Sequence, residues 1–256
     1  MTASMNSQSI SNDVSPEEWR MRVDLAALYR IVAMYGWDDL IFTHLTARVP
    51  GGGHHFLINP YGCLFEEITA SSLVKIDLDG NKIMDSPYDI NPAGFTIHSA
   101  IHEAREDAAC VMHLHTRAGI GVSAQKNGLL PISQQASIVL NNLTYHDYEG
   151  LALNPEEKQR LVADLGEKKL MILRNHGTLA VGRSVAGAFL AMYTLETACQ
   201  AQIAAQSGGA ELTLISRDII DGAMAASDTT TKNKGGSLAW PALLRKLDRL
   251  DPSYKT

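Results

Sequence analysis

The chain has 256 residues, 45% apolar and 20% charged, which is enough apolar material for one large domain or two small ones. Its formal charge of −6 includes no basic block, arguing against nucleic acid and anionic membrane as main partners, and no apolar run is long enough to span a bilayer. The N-terminal stretch MTASMNSQSISNDVSPEEW is polar and acidic, unlike a secretory signal, and three widely spaced cysteines with no CxxC pair fit a reducing cytoplasm rather than a disulfide framework.

Residues 1–14 read as a disordered leader. Ser15-Pro16-Glu17-Glu18 then starts a helix, with Ser as cap, Pro in the first turn and acids at the positive helix end. The helix should run to about Met34, bury Leu25, Leu28 and Ile31, and stop at Gly36. Leu40 to Val49 and His54 to Asn59 read as a hairpin about Gly51-Gly52-Gly53, and Leu73 to Asp77 as a short strand. Asn91-Pro92 opens a helix to about Arg105, and Ala108 to His115 is a largely apolar strand. Gly119 to Ala124 starts a further helix, Leu143 to Tyr148 reads as a strand, and Asn154-Pro155-Glu156-Glu157 caps the next helix. An apolar strand from Leu170 to Val181 is interrupted at Asn175-His176-Gly177. The Ala-rich stretch from Val185 to Ala205 should be a long buried helix. The order of elements points to one α/β domain over 15–226, built as three α/β/α layers. Residues 227–256 should be a flexible linker followed by an amphipathic helix. Its Trp240, Leu243, Leu244, Leu247 and Leu250 would dock on the body or on a neighbouring subunit.

Nine histidines carry most of the chemical interest. His54 and His55 sit beside a glycine turn. His98 and His102 lie four apart on a helix, a possible metal spacing, but a packed or solvated helix face is the favoured reading of such a lone pair. Val111-Met112-His113-Leu114-His115 is different, because side chains at i and i+2 of a strand point the same way and two imidazoles can converge on one ion. Burying two imidazoles in an apolar strand is costly, and a metal removes that cost; both reaching solvent at the strand end is the alternative. In Leu170–Gly177 a buried strand breaks at an Asn-His-Gly corner, where the glycine allows a turn and leaves His176 at the strand end. Three imidazoles with an open fourth position is the catalytic arrangement for zinc. His146 and Asp147 are polar groups at another strand end, fitting an acid/base or an interface network. Glu66 and Glu67 are neighbours that fit a helix start. Ser123 and Cys110 lack a visible triad partner.

Several blocks taken together resemble the class II aldolase/adducin family over roughly residues 17 to 207. They are IVAMYGWDDLIFTHLTARV, FLINPYGCLFEEITASSLVKID, NPAGFTIHSAIHEAREDAACVMHLHT, LPIS, YHDYEG and RNHGTLAVG. The resemblance implies a three-layer α/β/α fold with a largely antiparallel central sheet, and a homotetramer with active sites at subunit interfaces. It also implies one divalent metal ion per chain, expected to be Zn2+, on His113, His115 and His176. In catalytic members the metal stabilises an enediolate as a carbon–carbon bond breaks.

The sequence also departs from the aldolases. Where they carry a carboxylate near the start of the helix before HxH, alignment on His98 puts Gly94, which can neither bind metal nor move a proton. Pro92-Ala93 replaces the Ser-Ser phosphate donors, and Thr43-His44 replaces Gly-Asn. Asn59-Pro60-Tyr61-Gly62 keeps only its terminal glycine, and the aldolases' proton-donating tyrosine falls near Gln135. NPAGFTIHSAIHEAR, LLPIS and YHDYEG look closer to an adducin-like bacterial branch. The leading expectation is a cytoplasmic, homotetrameric, metal-dependent lyase that cleaves or decarboxylates a small oxygenated metabolite. His146 and Gln135 are its catalytic candidates, and His44 and Gly62 its substrate-binding candidates. The alternatives are an adducin-like binding or scaffold protein with a retained metal site, and a zinc-dependent hydrolase.

Overall fold

The structure, a computed structural model, describes residues 9–150, 155–232 and 234–256, with Pro92, Ala93, Gly94 and Pro155 entering only as helix backbone. Most of the expected leader, residues 1–8, and the expected cap at Asn154 lie outside the described residues.

Helix α1 (Pro16–Met34) starts where the sequence says, with the Ser15 hydroxyl accepting from the Glu18 amide, and buries Leu25, Leu28 and Ile31. Gly36 leaves it in the left-handed region. Strand β1 (His44–Arg48) is shorter than expected at its start, because residues 36–43 turn rather than extend. It pairs with β2 (Phe56–Ile58), which pairs with β3 (Val74–Ile76). Helix α2 (Pro92–Ala104) leads into β4 (Cys110–Leu114) and the short α3 (Arg117–Ser123). After α4 (Gln134–Val139) come β5 (Leu143–His146) and α5 (Pro155–Leu165). The apolar run from Leu170 splits, as expected, into β6 (Leu170–Leu173) and β7 (Gly177–Gly182), followed by the 23-residue α6 (Val185–Ser207).

The seven strands form one sheet in the order β3-β2-β1-β4-β7-β6-β5, antiparallel except for the parallel β5–β6 pair. Alternation along the strands divides their side chains between two cores. Leu45, Ala47, Met112, Leu114, Ile172 and Ala180 face the layer of α1, α4 and α6. Val111, Met171, Leu173, Leu179 and Val181 face α2 and α5, where Ile97, Ile101, Leu161 and Leu165 meet them. The result is the expected three-layer α/β/α architecture. No described helix is long and apolar enough to cross a membrane.

The C-terminal region departs from the expected linker. Residues 227–230 belong to α7 (Arg217–Thr230), so polarity there marks an exposed helix face rather than a loop. Helix α8 (Trp240–Leu250) docks on the body of its own chain: Trp240 and Leu247 are buried, and the Trp240 indole donates to Asp24 Oδ1 at 3.0 Å. Leu250 stays exposed. Beyond α8, the Ala70 amide donates to the Tyr254 carbonyl and the Ser71 amide to the Thr256 carbonyl, each at 2.9 Å.

A buried ion pair sits under this strap. The fully buried Arg22 meets Glu18 at 3.0 Å and donates to the Leu73 carbonyl at 2.8 Å, while the other Glu18 oxygen takes Lys75 at 2.7 Å. Removing one partner of such a pair strands a buried charge, so Glu18→Ala should lower unfolding stability by about 3–5 kcal/mol in a denaturant titration. The underside of α2 supplies a pH dependence. Burial, then the nearby Arg48 charge, pushes the His102 imidazole down to about 3 from 6.5. The unfolded chain therefore binds a proton that the folded one refuses, and stability should fall as pH drops from about 6.5 toward 3, with no contribution from this group above 6.5. Denaturant midpoints measured across that range check it.

Candidate metal centre

Strand β4 carries His113 on the face toward α2 and α5, and His115 follows two residues later, just past the strand end. Each Nδ1 has an acceptor that cannot donate: the Thr178 carbonyl at 3.1 Å for His113, and Asp39 Oδ2 at 3.0 Å for His115. Both Nδ1 atoms must then carry the proton, which leaves both Nε2 atoms as bare lone pairs. Those two atoms face each other at 3.0 Å. No proton lies between them in these tautomers, so the contact is a repulsion unless a cation occupies it. Two Zn–N bonds of about 2.0–2.1 Å at a tetrahedral angle would put the nitrogens about 3.3 Å apart, close to what is seen.

His176 completes the group from the turn between β6 and β7. Its ring centroid lies 4.7 Å from that of His113 and 4.8 Å from that of His115, and one nitrogen from each residue lies within 4.8 Å of the others. The turn uses its residues differently from the expectation. Asn175, not Gly177, takes the left-handed conformation, with φ of 54°. Gly177 is needed for close approach, because a Cβ there would lie 2.4 Å from the Leu114 carbonyl oxygen and 3.1 Å from the His115 ring. Burial, reinforced by the neighbouring imidazoles, holds His113 well below its usual range and His176 down to about 4. Both are therefore neutral at pH 7, the state a ligand needs. The donor set suits a divalent transition ion, and the carbonyl and carboxylate behind it form the orienting shell such sites use. A groove of about 680 Å3, lined by Trp37, Asp39, His115, Thr116, Glu196 and Gln200, opens onto the His115 side.

Further polar groups flank the triad on the same face of the sheet. His44, the β1 residue paired with His113, is buried with neither ring nitrogen hydrogen-bonded, and burial, followed by the neighbouring His115 imidazole, lowers it to about 4. On the far side His146 is buried at the end of β5. Its Nδ1 meets Asp164 Oδ2 at 2.7 Å, and its unpartnered Nε2 lies 3.7 Å from Glu157 Oε1. His146 contributes to the lowering at His176. Of the other two site candidates, Gln135 is not brought to the triad within one chain. Gln135 lies on α4, which packs with α6 against the opposite face of the sheet. Gly62 is exposed with φ of 93° and open space where a Cβ would be. Glu67 caps a short 3-10 turn, accepting from the Leu64 amide, as its helix-start reading implies.

Sequence reasoning missed Asp39, Asp164 and Glu157. Asp39 lies 76 residues before His115, and Asp164 lies 18 after His146. Only Asp38-Asp39, just ahead of the first strand, gave any signal.

The profile described as "Class II Aldolase and Adducin N-terminal domain" matches residues 23–203. A Pseudomonas aeruginosa protein named for the class 2 aldolases is 60% identical over 249 residues, covering 96% of each chain. Rat alpha-adducin is 44% identical over 265 residues, covering 98% of this chain but only 35% of the adducin. The crystal structure of an aldolase II superfamily protein from Pseudomonas syringae superposes with a TM-score of 0.90 at 50% identity, covering 97% of this chain and all of that one. The chain belongs to the class II aldolase/adducin family.

Proposed function

We propose that the protein is a metal-dependent lyase that cleaves or decarboxylates a small oxygenated metabolite, with zinc held by His113, His115 and His176. The observation that carries this reading is the pair of Nε2 lone pairs locked toward each other at 3.0 Å, with His176 closing the third side. A divalent ion there supplies Lewis-acid polarisation of a carbonyl oxygen. The protein residues would do the rest. His146, oriented by Asp164, moves a proton through its Nε2, and His44 contacts the bound molecule from the opposite side. Gly62 would line the substrate loop. Gln135 could take part only from a neighbouring copy, in keeping with a homotetramer whose sites lie at subunit interfaces. All three cysteines are buried and none is disulfide-bonded, which suits a cytoplasmic protein.

The 44% identity to alpha-adducin favours a second reading, an adducin-like binding protein that keeps the metal without turnover. A retro-aldol and decarboxylase screen over hydroxy-keto acids and sugar phosphates, with and without zinc, separates the two. Zinc-dependent turnover that His146→Gln lowers by about 10²-fold or more supports the lyase and the proton-transfer role. Zinc binding with no turnover supports the binding protein.

The metal assignment has its own tests. The purified protein should hold about one zinc per chain by elemental analysis, and His113→Ala should hold none. Full loading of that variant would overturn the site. Asp39→Ala, which frees the His115 ring, should weaken zinc affinity by about 10–100-fold in a chelator competition. Gly177→Ala should weaken it too, by driving Leu114 and His115 away from the turn.

A further inference from the structure

Glu157 of α5 closes the far side of the His146 ring. The two residues are 6% and 3% exposed. Glu157 Oε1 lies 3.7 Å from His146 Nε2, beyond hydrogen-bond reach, and that Nε2 and Glu157 Oε2 are both buried with no hydrogen-bond partner among the described residues. A buried carboxylate needs a positive partner, because burial removes the water that would otherwise stabilise its charge. The cationic side chains nearby are committed elsewhere. Lys158 donates to Ser99 on α2 at 3.1 Å, Arg160 is held by Glu149, and Arg174 lies over the Tyr145 ring. His176, which faces His146 from the turn between β6 and β7, is held neutral at pH 7 by burial. Among the described residues, His146 is therefore the one group in ion-pair contact with Glu157 that can become a cation. Asp164 Oδ2, 2.7 Å from Nδ1, fixes one ring proton there, so a further proton can sit only on Nε2, the atom turned to Glu157. In water an imidazole is about a hundredfold stronger as a base than a carboxylate, which puts a proton held between the two on the ring.

We infer that Glu157 is a positioning residue that keeps a second proton on His146, so that the ring stands between two carboxylates as an imidazolium with its Nε2–H available. His146 then enters the reaction as an acid and not as a base. When the carbon–carbon bond breaks, its electron pair stays on the carbon beside the carbonyl. That carbon takes the Nε2 proton, leaving a neutral imidazole beside an ionised Glu157. The pair thus provides a proton in a chain that has Gly94, and no carboxyl, near the start of α2. The acid role rests on the lyase reading; the proton on Nε2 does not.

Two measurements test it. The first is NMR at neutral pH on the purified full-length protein with 15N-labelled histidine, the His146 signals being those that His146→Gln removes. Both ring nitrogens of His146 should carry protons in the wild type. Glu157→Gln should lose the Nε2 proton, and Glu157→Asp, which keeps the charge, should retain it. A bare Nε2 in the wild type overturns the proposal, and so does a doubly protonated ring that survives Glu157→Gln. The second is the pH profile of the zinc-loaded protein on the hydroxy-keto acid or sugar phosphate that turns over in the screen above. The wild-type kcat should fall as rising pH strips the Nε2 proton. Glu157→Gln should move that fall to lower pH with KM little changed, because the carboxylate that holds the proton is gone. A kcat that rises with pH over this range, or a fall that Glu157→Gln leaves in place, overturns the acid role. No turnover at all, with the NMR pattern intact, overturns the lyase reading and leaves the pairing standing.

Discussion

Two imidazole lone pairs held 3.0 Å apart, with their protons drawn to the opposite ring nitrogens, set the character of this molecule. Left alone, that contact is unfavourable, because no proton lies between the two nitrogens. The Thr178 carbonyl and the Asp39 carboxylate each fix one tautomer, and both come from elements remote in sequence from the histidine they hold. A fold that keeps such a contact in place has stability invested in a site rather than in packing alone.

The same device recurs a few residues away. His102, Thr46 and His98 pass hydrogen bonds in one direction, away from the triad and into the Ala108 carbonyl, so that the end near the triad is an acceptor. At the opposite flank a carboxylate again takes the Nδ1 side of an imidazole, at His146 and Asp164. In all three places an acceptor on one ring nitrogen decides what the other can offer. At His98 and His113 burial adds to this by lowering the affinity of the ring for a second proton.

The sheet makes this possible by simple alternation. Once β1 pairs with β4 in the observed register, His44, Thr46 and His113 must lie on one face and Leu45, Ala47 and Met112 on the other. Helix α2 then lays His98 and His102 over the polar positions and Ile97 and Ile101 over the apolar ones. Shifting β1 by one residue would exchange the two sets, so the buried apolar core and the site share a register. The glycine of the Asn-His-Gly turn serves the same geometry, letting β7 close on the end of β4 where a methyl group would collide with the Leu114 carbonyl.

Much of this was legible in the sequence, because it depends on local period and local chemistry. The HxH spacing put His113 and His115 on one side of a strand, the apolar residues around them implied burial, and the break at Asn175-His176-Gly177 exposed a third imidazole at a strand end. Cap and turn residues located most of the elements. The polar run at 227–230 misled, because an exposed helix face and a linker share a composition. Tertiary structure alone decided which groups hold the ring protons, since Asp39, Thr178 and Asp164 reach their histidines only after the chain has folded back on itself. It also decided that His98 and His102, ordinary residues of a helix face by sequence, are buried against Thr46. The four-residue spacing states that two side chains share a face, but not what that face will meet.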